Sequence, residues 1–138
     1  MKVLDMYLMP IGQKNDGDNI FMSEIEFWIG VDLDGTLAEY HGWIGIHHIG
    51  KAITPMVERV QHWINEGKKV KIFTARASEG PAAIEFIHAW LDKQGLPKLE
   101  VTNIKDSGMM ELWDDRCISI GTNTGQIKNH ADLMEEKI

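Results

Sequence analysis

Asp32 and Asp34 stand one residue apart in the stretch "FWIGVDLDGTLAEY", residues 27–40, directly after a dense apolar segment and directly before Gly35 and Thr36. Like charges at that spacing repel, and carboxylates are costly to bury unpaired, so two of them at the mouth of a buried strand imply a cation. Along an extended strand end, alternation projects residues 32 and 34 near one another while Leu33 points into the core. Gly35 permits a tight turn beside a ligand. The chemistry such a set serves is the cation-assisted handling of an anionic group.

The elements that must position these residues follow from the surrounding pattern. Apolar density over residues 26–33 predicts a buried strand, and residues 37–53, rich in Gly, His and aromatics, predict a loop. Thr54 and Pro55 read as the N-cap and first position of a helix whose face is Met56, Val57, Val60, Trp63 and Ile64, closed by Gly67. "KKVKIFTAR" predicts a second strand ending near Thr74. Gly80 and Pro81 open a second helix with the stripe Ala83, Ile84, Ile87, Trp90 and Leu91, ended by Gly95 and Pro97. Strands are predicted over 99–104, 109–113 and 117–120, then a "GTNTG" turn, then a last helix over 126–137. Trp63 and Trp90 read as core.

Strands alternating with helices predict an α/β fold: a three-layer α/β/α sandwich around a mostly parallel, Rossmann-like sheet of about five strands. Residues 1–22 join an apolar start to a turn-rich stretch and read as an N-terminal extension, strand or arm, ahead of a catalytic domain over 23–138. In such a sheet, ligands bind beyond the C-terminal strand ends. Asp32 and Asp34 end the first strand, Thr74 the second, Lys105 the third, and Asp114 with Asp115 the fourth. All fall on one rim, as phosphoryl transfer requires: carboxylates for Mg²⁺, a hydroxyl and backbone N–H groups for phosphate oxygens, a lysine for charge in the transition state.

"DLDGT", Thr74 in "IFTAR", Lys105 in "NIKD" and the acidic pair in "WDD" resemble, in order and spacing over 27–120, the four motifs of the haloacid dehalogenase (HAD)-like superfamily in its phosphatase branch. The resemblance implies that Asp32 is the nucleophile, attacking a phosphomonoester in line to give an aspartyl-phosphate. Asp34 would protonate the leaving alkoxide and then deprotonate the attacking water. Thr74 and Lys105 would complete the catalytic set. Mg²⁺ would be held by Asp32, the backbone carbonyl of Asp34 and a carboxylate of Asp114 or Asp115. Gly35, Thr36, Ala75 and Arg76 would border the phosphate, and Tyr40, His41 or Trp43 suit substrate contact because their loop directly follows the nucleophile strand. Neither interval that carries a cap domain in the superfamily has room for one here, so an open site taking a large substrate, or covered by the His-rich loop or a second copy in a homo-oligomer, is expected.

Plainer readings stand beside each of these. The aspartates at 32 and 34 suit a solvated turn or helix cap, Thr74 a turn-capping hydroxyl, Lys105 an ordinary solvated lysine, and Asp114–Asp115–Arg116 a hairpin turn. Arg76 suits a surface ion pair. His41, His47 and His48 lack the spacing of a helical His pair, and with Cys117 the only cysteine a zinc cage is disfavoured. Cys117 itself reads as a buried strand thiol. A dehalogenase needs neither Asp34 nor a metal, and a response-regulator receiver places its phosphoacceptor on the third strand. The remaining alternative, from another class, is a non-catalytic phosphate- or metal-binding module that keeps the same rim.

Fourteen basic against twenty-one acidic residues, with no basic cluster, disfavour extended nucleic-acid binding and leave a small phosphorylated metabolite or nucleotide as the expected partner. No apolar run approaches a membrane span and no secretory signal pattern opens the chain, so a cytoplasmic location is expected.

Overall fold

The computed structural model describes residues 25–128; the N-terminal extension and residues 129–137 of the predicted last helix lie outside the described residues. The elements run β1 (Trp28–Val31), α1 (Thr54–Asn65), β2 (Val70–Phe73), a 3₁₀ turn (Ala75–Glu79), α2 (Pro81–Lys93), β3 (Glu100–Thr102) and β4 (Met109–Trp113). The four strands form one all-parallel sheet in the order β3-β2-β1-β4. The α/β class and the parallel sheet expected from the alternation are thus present.

Ile29, Val31, Val70 and Ile72 alternate onto one face, where they meet Met56, Val60 and Trp63 of α1 and Ile87, Trp90 and Leu91 of α2 in a single buried cluster. Both helices therefore cover the same face, as two right-handed crossovers stepping in the same direction require. Trp63 and Trp90 are core, as their spacing predicts.

The opposite face carries Trp28, Lys71 and Phe73. The Trp28 and Phe73 rings lie 6.4 Å apart, and the Lys71 ammonium sits 4.5 Å over the indole and 3.2 Å from Glu100. No helix joins β3 to β4: residues 103–108 make the whole connection to the far edge of the sheet. Asp106 anchors it, its Oδ1 accepting from the Trp28 indole N–H and the Gly108 N–H, both at 2.8 Å. Among the described residues, no helix packs on this face.

Four expectations need correction. The N-cap of α1 is Ile53 rather than Thr54, so Thr54 and Pro55 both lie in the first turn. Residues 117–120 add no strand to the sheet. They belong to a small hairpin built on the "GTNTG" turn, with an isolated bridge between Ile120 and Ile127 and a 2.8 Å bond from the Lys128 N–H to Ser119 O. A short apolar run carries no period that separates a buried strand from an exposed one, and Ile118 and Ile127 are in fact exposed. Cys117 is exposed with them, not buried in a strand, and residues 126–128 are bridge and coil, not helix.

The two kinds of isoleucine give a test of where the stability lies. Ile72→Ala empties a fully buried site and is expected to lower the unfolding free energy by about 2–5 kcal/mol. Ile118→Ala is expected to stay within about 0.5 kcal/mol of the parent. Urea denaturation of both variants measures the contrast.

Candidate functional site

Val31 pairs with Trp113, and the Asp32 N–H donates to Trp113 O at 2.9 Å, so β1 and β4 release their acids side by side. Asp32, Asp114 and Asp115 each offer a carboxylate oxygen within 4.8 Å of the others. Such a set of hard oxygen donors could hold a divalent cation.

A tight turn after β1 shapes the floor of this cluster. Leu33 O accepts from the N–H groups of Thr36, Leu37 and Ala38, and the Gly35 N–H donates to Ala38 O. The turn aims the Thr36 hydroxyl at the acids: it accepts from the Asp115 N–H at 2.9 Å and lies 3.0 Å from Asp115 Oδ1 and 3.4 Å from Asp32 Oδ2. Gly35 has a φ of +92°, and a Cβ there would come within 2.5 Å of Asp115 Oδ2. Only glycine leaves that carboxylate its seat.

Burial, followed by the charge of Asp114 and then the hydrogen bond to and charge of Asp115, pushes the Asp32 carboxyl up to about 7, against a smaller opposing pull from the Leu33 N–H. Burial acts in the same sense on Asp115, yet its carboxyl is held below its usual range by hydrogen bonds from Asp32, Thr36 and its own backbone N–H. Below about pH 7 the proton of this pair therefore rests on the Asp32 side. The Cys117 thiol beyond the turn is pushed up by partial burial and then by the charges of Asp114, Asp32 and Asp115, with Lys105 opposing. A thiol so placed is a poor nucleophile.

Asp34 turns away from this cluster. Its carboxylate takes a two-pronged pair from Arg76, Nε to Oδ2 at 2.7 Å and Nη2 to Oδ1 at 2.9 Å. Arg76 is 4% exposed, so this is a buried ion pair and not the surface pair its sequence context suggests. The same guanidinium donates to Ile46 O and His48 O and lies 4.9 Å over the Trp43 ring. Residues 37–53 form the predicted loop, closed at its base by the Ala38–Ala52 bridge, the Glu39 N–H to Lys51 O and the Ile53 N–H to Leu37 O.

Beside the acids lies a cleft of about 420 Å³. Asp32, Asp34 and Asp114 enter it from the strand ends, Thr74, Ala75 and Arg76 from the end of β2 and the 3₁₀ turn, and Tyr40 from the loop. The Thr74 hydroxyl accepts the Arg76 N–H at 3.1 Å, which leaves its own proton free to donate. Asp115 belongs to the acidic cluster and is seated by Gly35 and Thr36, and none of the three lines the cleft.

Other predicted residues fall elsewhere. The Asp34 side chain is not part of the acidic cluster, because Arg76 holds it. His41 is exposed beside Glu39 and lines a separate hollow rather than the cleft. Lys105 is exposed in the helix-free connection and lines neither. Sequence reasoning missed Phe73, Glu79 and Arg116 as cleft residues. Their position right after or within recognised strand-end motifs was the available signal.

Comparison with protein-family models and with curated proteins returns no match. A solved structure of a conserved protein from Bacteroides thetaiotaomicron is similar in fold, with a TM-score of 0.52 and 21% identity, covering 82% of this chain and 93% of that one. Among the described residues, no helix is long and apolar enough to cross a membrane.

Two outcomes follow from this geometry. Arg76→Ala leaves the largely buried Asp34 carboxylate without its partner and frees two loop carbonyls. A loss of about 2–4 kcal/mol is expected by urea denaturation, below the usual range for a fully buried pair because Asp34 keeps some solvent contact. For Asp32, the folded chain binds more protons than the unfolded chain between pH 3.8 and about 7, so stability falls as pH rises through that window. In chelator, the melting temperature of the parent is expected to drop from pH 5 to pH 8 by more than that of Asp32→Asn; equal slopes would contradict the assignment.

Proposed function

We propose that the chain is a Mg²⁺-dependent phosphomonoester hydrolase of the HAD-like type, acting through an aspartyl-phosphate on a small phosphorylated metabolite or nucleotide. The observation that carries this reading is the convergence of the Asp32, Asp114 and Asp115 carboxylates at the C-terminal rim of a parallel sheet, beside a cleft floored by Thr74. The three-layer sandwich and the sheet of about five strands belong to the same proposal. A soluble cytoplasmic enzyme without a cap domain fits the composition and the loop-only interval after β1.

The crowded acids fit Mg²⁺: they are hard oxygen donors, and burial together with the charges of Asp114 and Asp115 raises the Asp32 carboxyl, a strain that a bound cation would relieve. Asp32, Asp114 and Asp115 would hold the ion, together with the Asp34 backbone carbonyl. Bound Mg²⁺ supplies the charge neutralisation that lets a carboxylate approach an anionic phosphate.

The chain's own groups supply the rest. Asp32, as a carboxylate that has given its proton up to solvent, would form a bond to phosphorus as the bond to the leaving oxygen breaks, and Asp34, having taken up a proton from solvent, would deliver it to that oxygen. Water then attacks the acyl phosphate, Asp34 takes its proton, and Asp32 is released as carboxylate. Arg76 keeps the Asp34 carboxylate in one orientation, since a planar fork fixes both oxygens. The Thr74 hydroxyl donates to a phosphate oxygen, while the role of Lys105 rests on the motif resemblance alone.

The sequestering of Asp34 by Arg76 favours one second reading, a phosphate- or metal-binding module without turnover. The two separate cleanly in one assay. Turnover of p-nitrophenyl phosphate or a member of a metabolite panel is expected with Mg²⁺, abolished by chelation and reduced at least about 10⁴-fold in Asp32→Asn. Full activity in that variant refutes the nucleophile, and Mg²⁺-dependent ligand binding without product favours the module.

A further inference from the structure

Tyr40 and Trp43 are 36% and 49% exposed, large rings standing in water at the wall of the cleft that holds Asp32 and Asp34. Aromatic rings lining a polar cleft offer flat apolar faces on which a planar ligand can stack. Phe73 adds a third ring at the end of β2.

The wall is also held in place. One face of the Trp43 indole lies under the Arg76 guanidinium at 4.9 Å, and the same guanidinium grips the carbonyls of Ile46 and His48 further along the loop. Arg76 is in turn fixed by Asp34. The ring therefore has one face occupied and a loop that cannot swing freely, which is the preorganisation that stacking rewards. Glu79 and Arg116 place an acceptor and a set of donors in the same cleft. Its volume of about 420 Å³ exceeds what a phosphate group needs and lies within the roughly 300–1,000 Å³ of small-molecule sites.

We propose that the substrate is a nucleoside monophosphate whose base stacks on the Tyr40–Trp43 wall, with Glu79 and Arg116 facing its polar edge. This rests on the phosphomonoesterase reading and gives the leaving group its chemical class. The loop over 37–53, clamped by Arg76, is then the specificity element of a site over which no further domain stands among the described residues.

The test compares the four ribonucleoside 5′-monophosphates with ribose 5-phosphate, which offers the same sugar and phosphate without a base. In Mg²⁺, kcat/KM for the best nucleotide is expected to exceed that for ribose 5-phosphate at least 10-fold. Trp43→Ala is expected to shrink that ratio to about 2-fold, mainly through KM, while Trp43→Phe keeps most of it. A parent ratio near one, or a ratio that Trp43→Ala leaves unchanged, overturns the proposal. If neither compound is hydrolysed, the phosphomonoesterase reading fails on its own, and calorimetric binding of the same compounds to the parent in Mg²⁺ decides the recognition: at least 10-fold tighter nucleotide binding supports it, and equal or absent binding overturns it.

Discussion

The pairing of β1 with β4 is the constraint on which the rest depends. Trp28 pairs with Met109, but Ile29 pairs with Glu111, so a bulge at Met110 advances β4 by one residue. Without it Val31 would face Leu112, and Asp114 would stand one residue further from Asp32. Bulges re-aim side chains at functional edges, and here the effect is to bring Asp32 and Asp114 off the sheet at the same level. The buried side chains of Ile29, Val31 and Leu33 keep that register from slipping, since a slip would turn them out of the core.

The acids at the rim divide into two electrostatic settings. Asp34 is neutralised inside the protein by Arg76, at hydrogen-bonding distance and largely out of water. Asp32, Asp114 and Asp115 crowd together, and part of their repulsion is relieved by a proton held on Asp32 and a hydroxyl between Asp32 and Asp115. One aspartate is thereby held rigid, while its near neighbour in sequence stays responsive to whatever cation or proton is supplied. Two residues of separation suffice because the turn at Gly35 breaks the strand direction immediately afterwards.

Much of this was legible in the chain. Residues with strict local signals, the Pro81 start of α2, the stripes of α1 and α2, the apolar run of β1 and β4, lie where the pattern put them. That Asp32, Asp114 and Thr74 meet at one cleft is legible because strand ends in a parallel sheet converge by topology alone. The partnership of Arg76 with Asp34 was not, since it joins positions 42 residues apart through a loop whose path no local rule sets. The exposed hairpin after β4 was read as a strand because Cys117, Ile118 and Ile120 carry the composition of one without any alternation to show which side is wet. Lys105 sits in the helix-free connection between β3 and β4, whose path motif spacing alone does not set.

The closed base of the 37–53 loop separates two jobs that a polypeptide usually mixes. Three backbone contacts, at Leu37, Ala38 and Glu39, return the chain to the start of α1 regardless of what lies between them and their partners. Changes of length or sequence among the exposed residues 40–44, away from the carbonyls that hold Arg76 and from Ile49 and Gly50 against the core, have little effect on the scaffold, because closure entropy grows only slowly with length. The architecture is thus suited to divergence by cassette: descendants can acquire new ligands by rewriting this insert while the inherited acidic rim stays untouched.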